Sequence, residues 1–359
     1  MQINVESKIK NYSIIVQPNF DFLGELSQSS PRAIVIDKNV WTYYEPIFIK
    51  FFKKDEVILF EATEPNKTID SVLQLCDSVM SSQAKKNMTI ISIGGGIVQD
   101  VSGFLASILY RGVNWIFVPT TLLAQSDSCM GSKTSLNYKS YKNLLGSFFP
   151  PTKIFVNVEF TKTLTEQDFY SGLGEVVKLH LMGGQRNIDI ISSKIIELDS
   201  KRNDVDFITE LVRDSLSIKY SYIKDDEFDT GRRNLLNFGH CFGHALEVSS
   251  HYAIPHGTAV VVGMIFANII ASKRGLLSKD NENSYFNNIL RYSFKFQFKK
   301  DQFNKDTILA ALKMDKKRTG EGLPLILIQD NMELTKIIDM TSEELFYGID
   351  KVIDLLMSK

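Results

Sequence analysis

Apolar and polar residues alternate near the N-terminus in INVES and YSIIV, which predicts a β-hairpin within residues 1–24. Several short runs downstream are apolar almost throughout, the pattern of strands covered on both faces. They are RAIVID (Arg32–Asp37), DEVILFEA (Asp55–Ala62), MTIISI (Met88–Ile93), WIFVPTT (Trp115–Thr121) and KIFVNVEF (Lys153–Phe160). Helical patterns separate them. One covers Thr68–Met80 after the polar turn EPNKT, and another opens at the triple glycine Gly94–Gly96. Strands alternating with helices of roughly a dozen residues predict a parallel sheet with crossover helices.

Beyond Thr163 the apolar period lengthens to that of helices. DFYSGLGEVVKLHLM, the segment from Ile188 to Ile223, NLLNFGHCFGHALEV, GTAVVVGMIFANIIASKRG and SEELFYGIDKVIDLLMSK all repeat at helical spacing. LPLILI (Leu323–Ile328) is the one strand candidate in this half. A chain of 359 residues exceeds a single typical core. The expected organisation is an α/β domain over residues 1–163, then an all-α, mainly helical domain over residues 164–359.

Candidate chemistry concentrates in Arg232–His256, RRNLLNFGHCFGHALEVSSHYAIPH, which holds four of the five histidines. On one helix His240 and His244 would share a face, and His251 and His256 follow within a turn or two. Clustered imidazoles suit a divalent transition metal, although an isolated HxxxH is as often a pair of core histidines. Arg233, Asn237 and Asp226 nearby suit an anionic ligand beside a metal. Glu175 and Lys178 lie at i, i+3 between apolar flanks, where the acid could be a third ligand.

A second candidate is ISIGGGIVQDVSGFLAS, which reads as strand, glycine turn and helix. Backbone N–H groups at such a helix start can meet a pyrophosphate. The spacing is not GxGxxG, and a plain tight turn gives the same pattern. Asp37, ending an earlier strand, stands where a doubly wound sheet places an acceptor for an adenine ribose. TTLLAQSDSCMGSKTSLNYKSYKNLLGSFFPP reads as a basic, Gly/Ser-rich loop between strands. Its Asp127, Lys133, Lys142 and Asn143 could hold phosphate or carboxylate, or simply be solvated.

Composition narrows the choice further. A net charge of −1 supplies no basic field for nucleic acid. No apolar run approaches the ~20 residues that span a bilayer, and MQINVESKIKNYSIIV lacks a signal-peptide core. Cys76, Cys129 and Cys241 are few, odd in number and without CxxC spacing, as in a reducing compartment. These features predict a cytoplasmic enzyme of small molecules, with neither nucleic acid nor membrane as partner.

The blocks GGGIVQD, LYRGVNWIFVPTTLLAQSDS, KNLLGSFFPP, SGLGEVVK, NLLNFGHCFGHALE, HGTAVVVGM and MDKK occur in this order between Asp37 and Lys317. Together they resemble 3-dehydroquinate synthase and its sugar-phosphate cyclase relatives. The resemblance implies a Rossmann-like N-terminal domain binding NAD, a helical C-terminal domain binding zinc or cobalt, and an active site in the cleft. It implies Glu175, His240 and His256 as metal ligands, with His244 facing a substrate phosphate instead of pairing with His240 as a ligand. NAD would meet Asp37, Glu64, Lys67, Gly95, Gly96 and Asp100. Further NAD contacts would come from Thr120, Thr121, Asp127 and Lys142, and from Phe160, Thr161, Lys162 and Thr163. Lys133, Asn143, Lys178, Lys219, Arg233, Asn237, His244 and Lys316 would hold a phosphorylated sugar acid. Arg111 would reach the phosphate site of a neighbouring subunit, which implies a homodimer. The implied reaction closes 3-deoxy-D-arabino-heptulosonate 7-phosphate to a carbocycle. Hydride transfer to NAD makes an adjacent proton acidic, phosphate is eliminated, the hydride returns, and an aldol step forms the ring.

Some positions depart from the family pattern. Ser132 and Ser135 replace glycines of GGKTG, and Gln99 replaces another glycine. Tyr138, Lys139 and Tyr141 stand where INHPxGKN has His, Pro and Gly. These changes make a cyclase for a different seven-carbon ketose phosphate, from a glycan or secondary-metabolite pathway, the alternative reading. Lys219 and Arg233 are both kept, and such a pair can clamp a carboxylate, which favours the heptulosonate. A metal-dependent NAD alcohol dehydrogenase of related build would instead accumulate NADH. A protein reduced to a structural role would have lost one of Glu175, Lys178, His240 or His256, and all four are present.

Overall fold

The computed structural model describes residues 1–81, 85–139, 141–319 and 323–357, without the side chains of 315–319. The chain divides into two compact units. One comprises Met1–Leu164, Asn203–Leu216 and Ile223–Phe228; the other comprises Thr165–Arg202, Ser217–Tyr222 and Asp229–Lys359.

The first unit opens with β1 (Gln2–Val5), β2 (Tyr12–Val16), α1 (Phe22–Gln28), β3 (Arg32–Asp37) and α2 (Lys38–Phe48). It continues through β4 (Val57–Phe60), α3 (Ile69–Ser81), β5 (Thr89–Gly94), α4 (Gly96–Ile108) and β6 (Asn114–Pro119). β7 (Lys133–Tyr138), β8 (Tyr141–Phe148) and β9 (Lys153–Val156) complete it. The main sheet runs β1-β2-β9-β6-β5-β3-β4 and is parallel except for the β1–β2 hairpin. Its centre is apolar on both faces, as crossover helices require. Ile34, Ile36, Ile91, Ile93 and Val118 pack there with Phe22, Trp41, Tyr44, Phe48, Phe155 and Phe160.

Two local expectations for this unit are corrected. KIFVNVEF is a strand only as far as Val156. The Asn157 side chain accepts the Glu159 N–H at 2.9 Å and turns the chain into the 3-10 segment Val158–Thr163. The stretch expected to be a loop contains a π-helical turn, Ala124–Ser128, and an antiparallel hairpin of β7 and β8. In β7 the inward positions are Thr134 and Leu136, so a polar residue masks the period of two.

The second unit is mainly helical. α5 (Glu166–Met182), α6 (Gln185–Lys201) and α7 (Val205–Ile223) come first, with α7 contributing residues to both units. α8 (His240–Ser249), α9 (His256–Lys273), α10 (Lys279–Asn288) and α11 (Lys305–Thr319) follow. The expected strand is β10 (Leu325–Ile328), which pairs with the unforeseen β11 (Leu334–Ile337), and α12 (Ser342–Met357) ends the unit. Among the described residues α9 alone is long and apolar enough to cross a membrane, and most of it is buried inside the protein. Burial on every side accounts for its apolar sequence.

The single helix expected over NLLNFGHCFGHALEV is broken. Arg232–Asn237 is a 3-10 turn, Gly239 takes a left-handed φ of 77°, and α8 starts at His240. Glycine adopts that backbone without the Cβ clash other residues meet. The break lets the main chain of Gly239 lie against Gly263 of α9, where any Cβ would overlap the Gly239 carbonyl.

Candidate functional site

Each proposed metal ligand adjoins a glycine at which two backbones meet. Glu175 follows Gly174 on α5, and His256 precedes Gly257 on α9. A Cβ on Gly174 would overlap the Gly257 carbonyl, and one on Gly257 would overlap the Ser171 carbonyl. α5 and α9 therefore touch main chain to main chain. That contact leaves Glu175 Oε1 3.1 Å from His256 Nε2 and 3.4 Å from His240 Nε2. His240 and His256 are the first residues of α8 and α9, and His244 stands one turn into α8. One nitrogen from each of His240, His244 and His256 lies within 4.8 Å of the others.

The electrostatics favour a cation at this point. Glu175 and Lys178 are each 2% exposed, with Oε2 and Nζ 2.5 Å apart. Among the described residues that buried Oε2 nevertheless has no hydrogen bond of good geometry. Burial opposes the charge on Glu175, but Lys178 and His240 hold its carboxyl well below the usual range. Burial likewise opposes charge on His256. The Glu175 and Glu247 carboxylates outweigh it and push the imidazole up to about 10. The N-termini of α8 and α9 disfavour a cation by roughly 0.3–1 kcal/mol each. A carboxylate ~4 Å away offers about 4 kcal/mol at an effective dielectric of ~20; Lys178 offsets part of the Glu175 charge, and Glu247 adds a second acid beside His256. One buried carboxylate and converging imidazoles form a donor set that fits zinc or cobalt.

Glu247 was not foreseen. Its Oε2 lies 3.2 Å from His256 Nδ1, leaving Nε2 to face Glu175. Such outer carboxylates fix the tautomer and ring orientation of a histidine ligand. The acid three residues beyond His244 in GHALE was the available signal.

Four other predicted substrate residues belong to this unit. Lys219 on α7 and Arg233 in the 3-10 turn are both buried cations. Asn237 is exposed and donates its amide to the Asn234 carbonyl at 3.1 Å. The side chain of Lys316 lies outside the described residues.

In the first unit the structure joins Lys67, Asp100 and Asn143. Lys67 Nζ is 2.5 Å from Asp100 Oδ2 and donates to Asn143 Oδ1 at 2.7 Å. Asp100 Oδ1 accepts the Ser135 N–H at 2.9 Å. Burial holds the Asp100 carboxyl above its usual range despite Lys67. Glu64 and Lys142 face each other at 4.0 Å. Gly95 caps α4, Gly96 begins it, and a Cβ on Gly95 would sit 2.9 Å from the Thr121 methyl. The Thr121 hydroxyl accepts the Ala124 N–H, buried Thr120 donates its N–H to the Gly94 carbonyl, and Asp127 lies in the π-helical turn. This helix start, with its close backbone approach, fits the pyrophosphate of a dinucleotide.

Asp37 caps α2 through the Asn39 N–H, and burial raises its carboxyl. Phe160 and Thr161 turn inward, so segment 160–163 offers a ligand its backbone rather than those two side chains. Lys162 pairs with Glu159, and the Thr163 hydroxyl donates to the Phe160 carbonyl. Lys133 and Arg111 are exposed; Arg111 has a left-handed φ of 66°. Gln99 and Ser135, singled out only as departures, both prove to be hydrogen-bonded: Gln99 exchanges two bonds with Ser128.

Comparison with known proteins adds independent findings. Residues 57–171 match the family model for 3-dehydroquinate synthase N-terminal, and residues 172–318 match 3-dehydroquinate synthase C-terminal. The chain is 33% identical over 364 aligned residues to the 3-dehydroquinate synthase of Clostridium tetani (strain Massachusetts / E88), covering 98% of this chain and 95% of that one. Among solved structures, it is similar to 2-epi-5-epi-valiolone synthase from Streptomyces hygroscopicus subsp. jinggangensis 5008, with NAD+ and Zn2+ bound. That match has a TM-score of 0.86 and 22% identity over 98% of this chain and 99% of the other. A 2-deoxy-scyllo-inosose synthase complexed with carbaglucose-6-phosphate, NAD+ and Co2+ matches with a TM-score of 0.80. Its identity is 22%, over 98% of this chain and 99% of the other. At these identities the two structures speak for the fold alone.

Proposed function

The chain belongs to the 3-dehydroquinate synthase family, and on that premise we propose that it forms 3-dehydroquinate from 3-deoxy-D-arabino-heptulosonate 7-phosphate. The observation that carries this reading is the meeting of Glu175, Lys178, His240 and His256 around one point that favours a cation. Glu175, His240 and His256 would hold zinc or cobalt, and the glycine turn before α4 would hold NAD. Together those groups supply reversible oxidation of one substrate alcohol, with no net redox change over a turnover.

The chain's own residues do the binding and orienting. Lys178 keeps Glu175 ionised, and exposed His244 would donate to the substrate phosphate. Lys219 and Arg233, both buried, would clamp the carboxylate, since an ammonium and a guanidinium suit an anionic oxygen pair. The proton made acidic by alcohol oxidation would leave with the phosphate, so the residues need supply no separate base. Asp37, Glu64, Lys67, Asp100, Thr120, Thr121, Asp127, Lys142 and segment 160–163 would line the cofactor, the last through its backbone. Lys133, Asn143, Asn237 and Lys316 would contact substrate. We extend the proposal to a cytoplasmic homodimer, in which exposed Arg111 would reach the other subunit, and to a functional boundary near residue 163. The retained Lys219 and Arg233 favour the heptulosonate over a ketose phosphate without a carboxylate.

The test is phosphate release from 3-deoxy-D-arabino-heptulosonate 7-phosphate by metal-loaded protein with NAD, with NADH followed in parallel. Stoichiometric phosphate, a dehydroquinate product and no accumulated NADH are expected. Inactivity there, with turnover of a ketose phosphate lacking the carboxylate, would overturn the substrate assignment. Accumulating NADH would overturn the cyclase reading itself.

A further inference from the structure

The oxygen of the Asn143 side chain faces two donors. Lys67 Nζ donates to Oδ1 at 2.7 Å, and the Ser135 hydroxyl lies 2.9 Å from the same atom. An ammonium can only donate, so Lys67 identifies which end of the amide is oxygen. The Ser135 hydroxyl also lies 3.1 Å from Asp100 Oδ2 and has one proton for the two acceptors. Asp100 is already served by Lys67 and by the Ser135 N–H. At 2.9 Å the Ser135 hydroxyl occupies the second lone-pair direction of Asn143 Oδ1 whichever acceptor takes its proton.

A carbonyl-type oxygen has two lone pairs, and here Lys67 Nζ and the Ser135 hydroxyl occupy both directions. The backbone is committed too. Asn143 takes a φ of 54°, a conformation asparagine tolerates better than most residues, and its N–H donates to Asn137 Oδ1 at 3.0 Å. What the exposed residue still offers is the NH2 end of its amide.

We propose that Ser135 is a positioning residue that makes Asn143 a donor-only contact, so that the substrate atom Asn143 meets is an accepting oxygen, such as that of a phosphate or carboxylate. With glycine at position 135, one lone pair of Oδ1 would be open to a substrate hydroxyl. The serine thus turns an ambidextrous amide into one that favours anionic oxygens. The inference rests on the proposed reaction for its substrate, but not for its hydrogen bonds.

Two measurements test it. In steady state with 3-deoxy-D-arabino-heptulosonate 7-phosphate, Ser135→Ala should raise KM about fivefold, the value of one hydrogen bond, with kcat changed less than about twofold. Ser135→Thr, which keeps the hydroxyl, should restore most of that loss. An unchanged KM in Ser135→Ala, or a threonine variant no better than alanine, would overturn the positioning role. The second measurement needs no substrate. Urea unfolding of Ser135→Ala, Asn143→Ala and the double variant should be non-additive, because the two side chains share a bond. Additive losses would overturn the inference even in an enzyme that turns the heptulosonate over. Failure of the wild type to turn it over would defeat the functional reading and leave the unfolding cycle to decide the contact.

Discussion

Glu175, His240 and His256 owe their positions to main-chain packing, whereas Lys67, Asp100 and Asn143 owe theirs to side chains bonded to one another. In the helical unit, α5, α8 and α9 meet at glycines, and the proposed metal ligands ride on the adjoining residues. In the sheet unit, the polar cluster hangs between α4, the Lys67 segment and the β7–β8 hairpin. A main-chain contact leaves no room for adjustment; a network of side chains can be rewired by one substitution. The family departures Gln99, Ser132, Ser135, Tyr138, Lys139 and Tyr141 accordingly all fall in the sheet unit. None falls among the proposed metal donors or their glycines.

The sharpest way to break that contrast is Gly257→Ala. The added methyl would overlap the Ser171 carbonyl, which is main chain and cannot swing aside. We expect a loss of about 3 kcal/mol by chemical unfolding, the upper end for overpacking, together with loss of bound zinc. Gly24→Ala is the control, since its methyl meets only Phe51 at 4.0 Å and alanine favours helix. Equal stability and metal content in both variants would show that the backbone contact does not hold the site.

Next in size is Lys67→Met, which attacks the side-chain network. It leaves the half-buried Asp100 without its cation. A broken buried pair can cost about 3–5 kcal/mol, but Asp100 keeps its Ser135 bonds and can take up a proton. About 2 kcal/mol is expected in urea, with zinc content unchanged because the metal donors depend on other contacts. A fall in zinc content would break the comparison by coupling the two clusters.

The same contrast marks what the sequence made legible. β3 and β5 could be read because an uninterrupted apolar run has few alternatives to a covered strand. The β7–β8 hairpin could not, because Thr134 fills an inward position and the tip carries Tyr138, Lys139 and Tyr141. The break at Gly239 was hidden by apolar residues on both sides that keep helical spacing across it. Spacing drew attention to His240 and His244, and apolar flanks made Glu175, 65 residues before His240, a possible third ligand, but the set Glu175, His240 and His256 came from the family resemblance. Glu247 and Ser135 escaped because their roles rest on what they hold in place.

Glu247→Ala should weaken zinc about tenfold in a chelator competition, by releasing His256 Nδ1. Glu247→Gln keeps an oxygen that can accept from that nitrogen and should lose less. The ordering matters more than the size. If glutamine were as damaging as alanine, charge rather than ring orientation would be the contribution of Glu247.

The smallest effect belongs to a charge pair outside both clusters. Arg274 donates to both carboxylate oxygens of Glu344, at 2.7 and 2.6 Å, and also pairs with Asp339 at 2.8 Å. Hydrogen bonding from Arg274 is the first cause holding the Glu344 carboxyl below its usual range. An acid whose folded pKa is depressed binds fewer protons folded than unfolded, so its stabilisation is full above the unfolded pKa. It fades as pH falls through the folded value. Glu344→Gln should therefore cost stability at neutral pH and nothing once both proteins are protonated at this site. Screening by solvent limits the neutral-pH loss to about 0.5 kcal/mol. Unfolding midpoints at pH 7 that match within error would reduce the pair to geometry without energy. A gap that persisted below the carboxylate range would mean that the glutamate's packing, and not its charge, is what α12 uses.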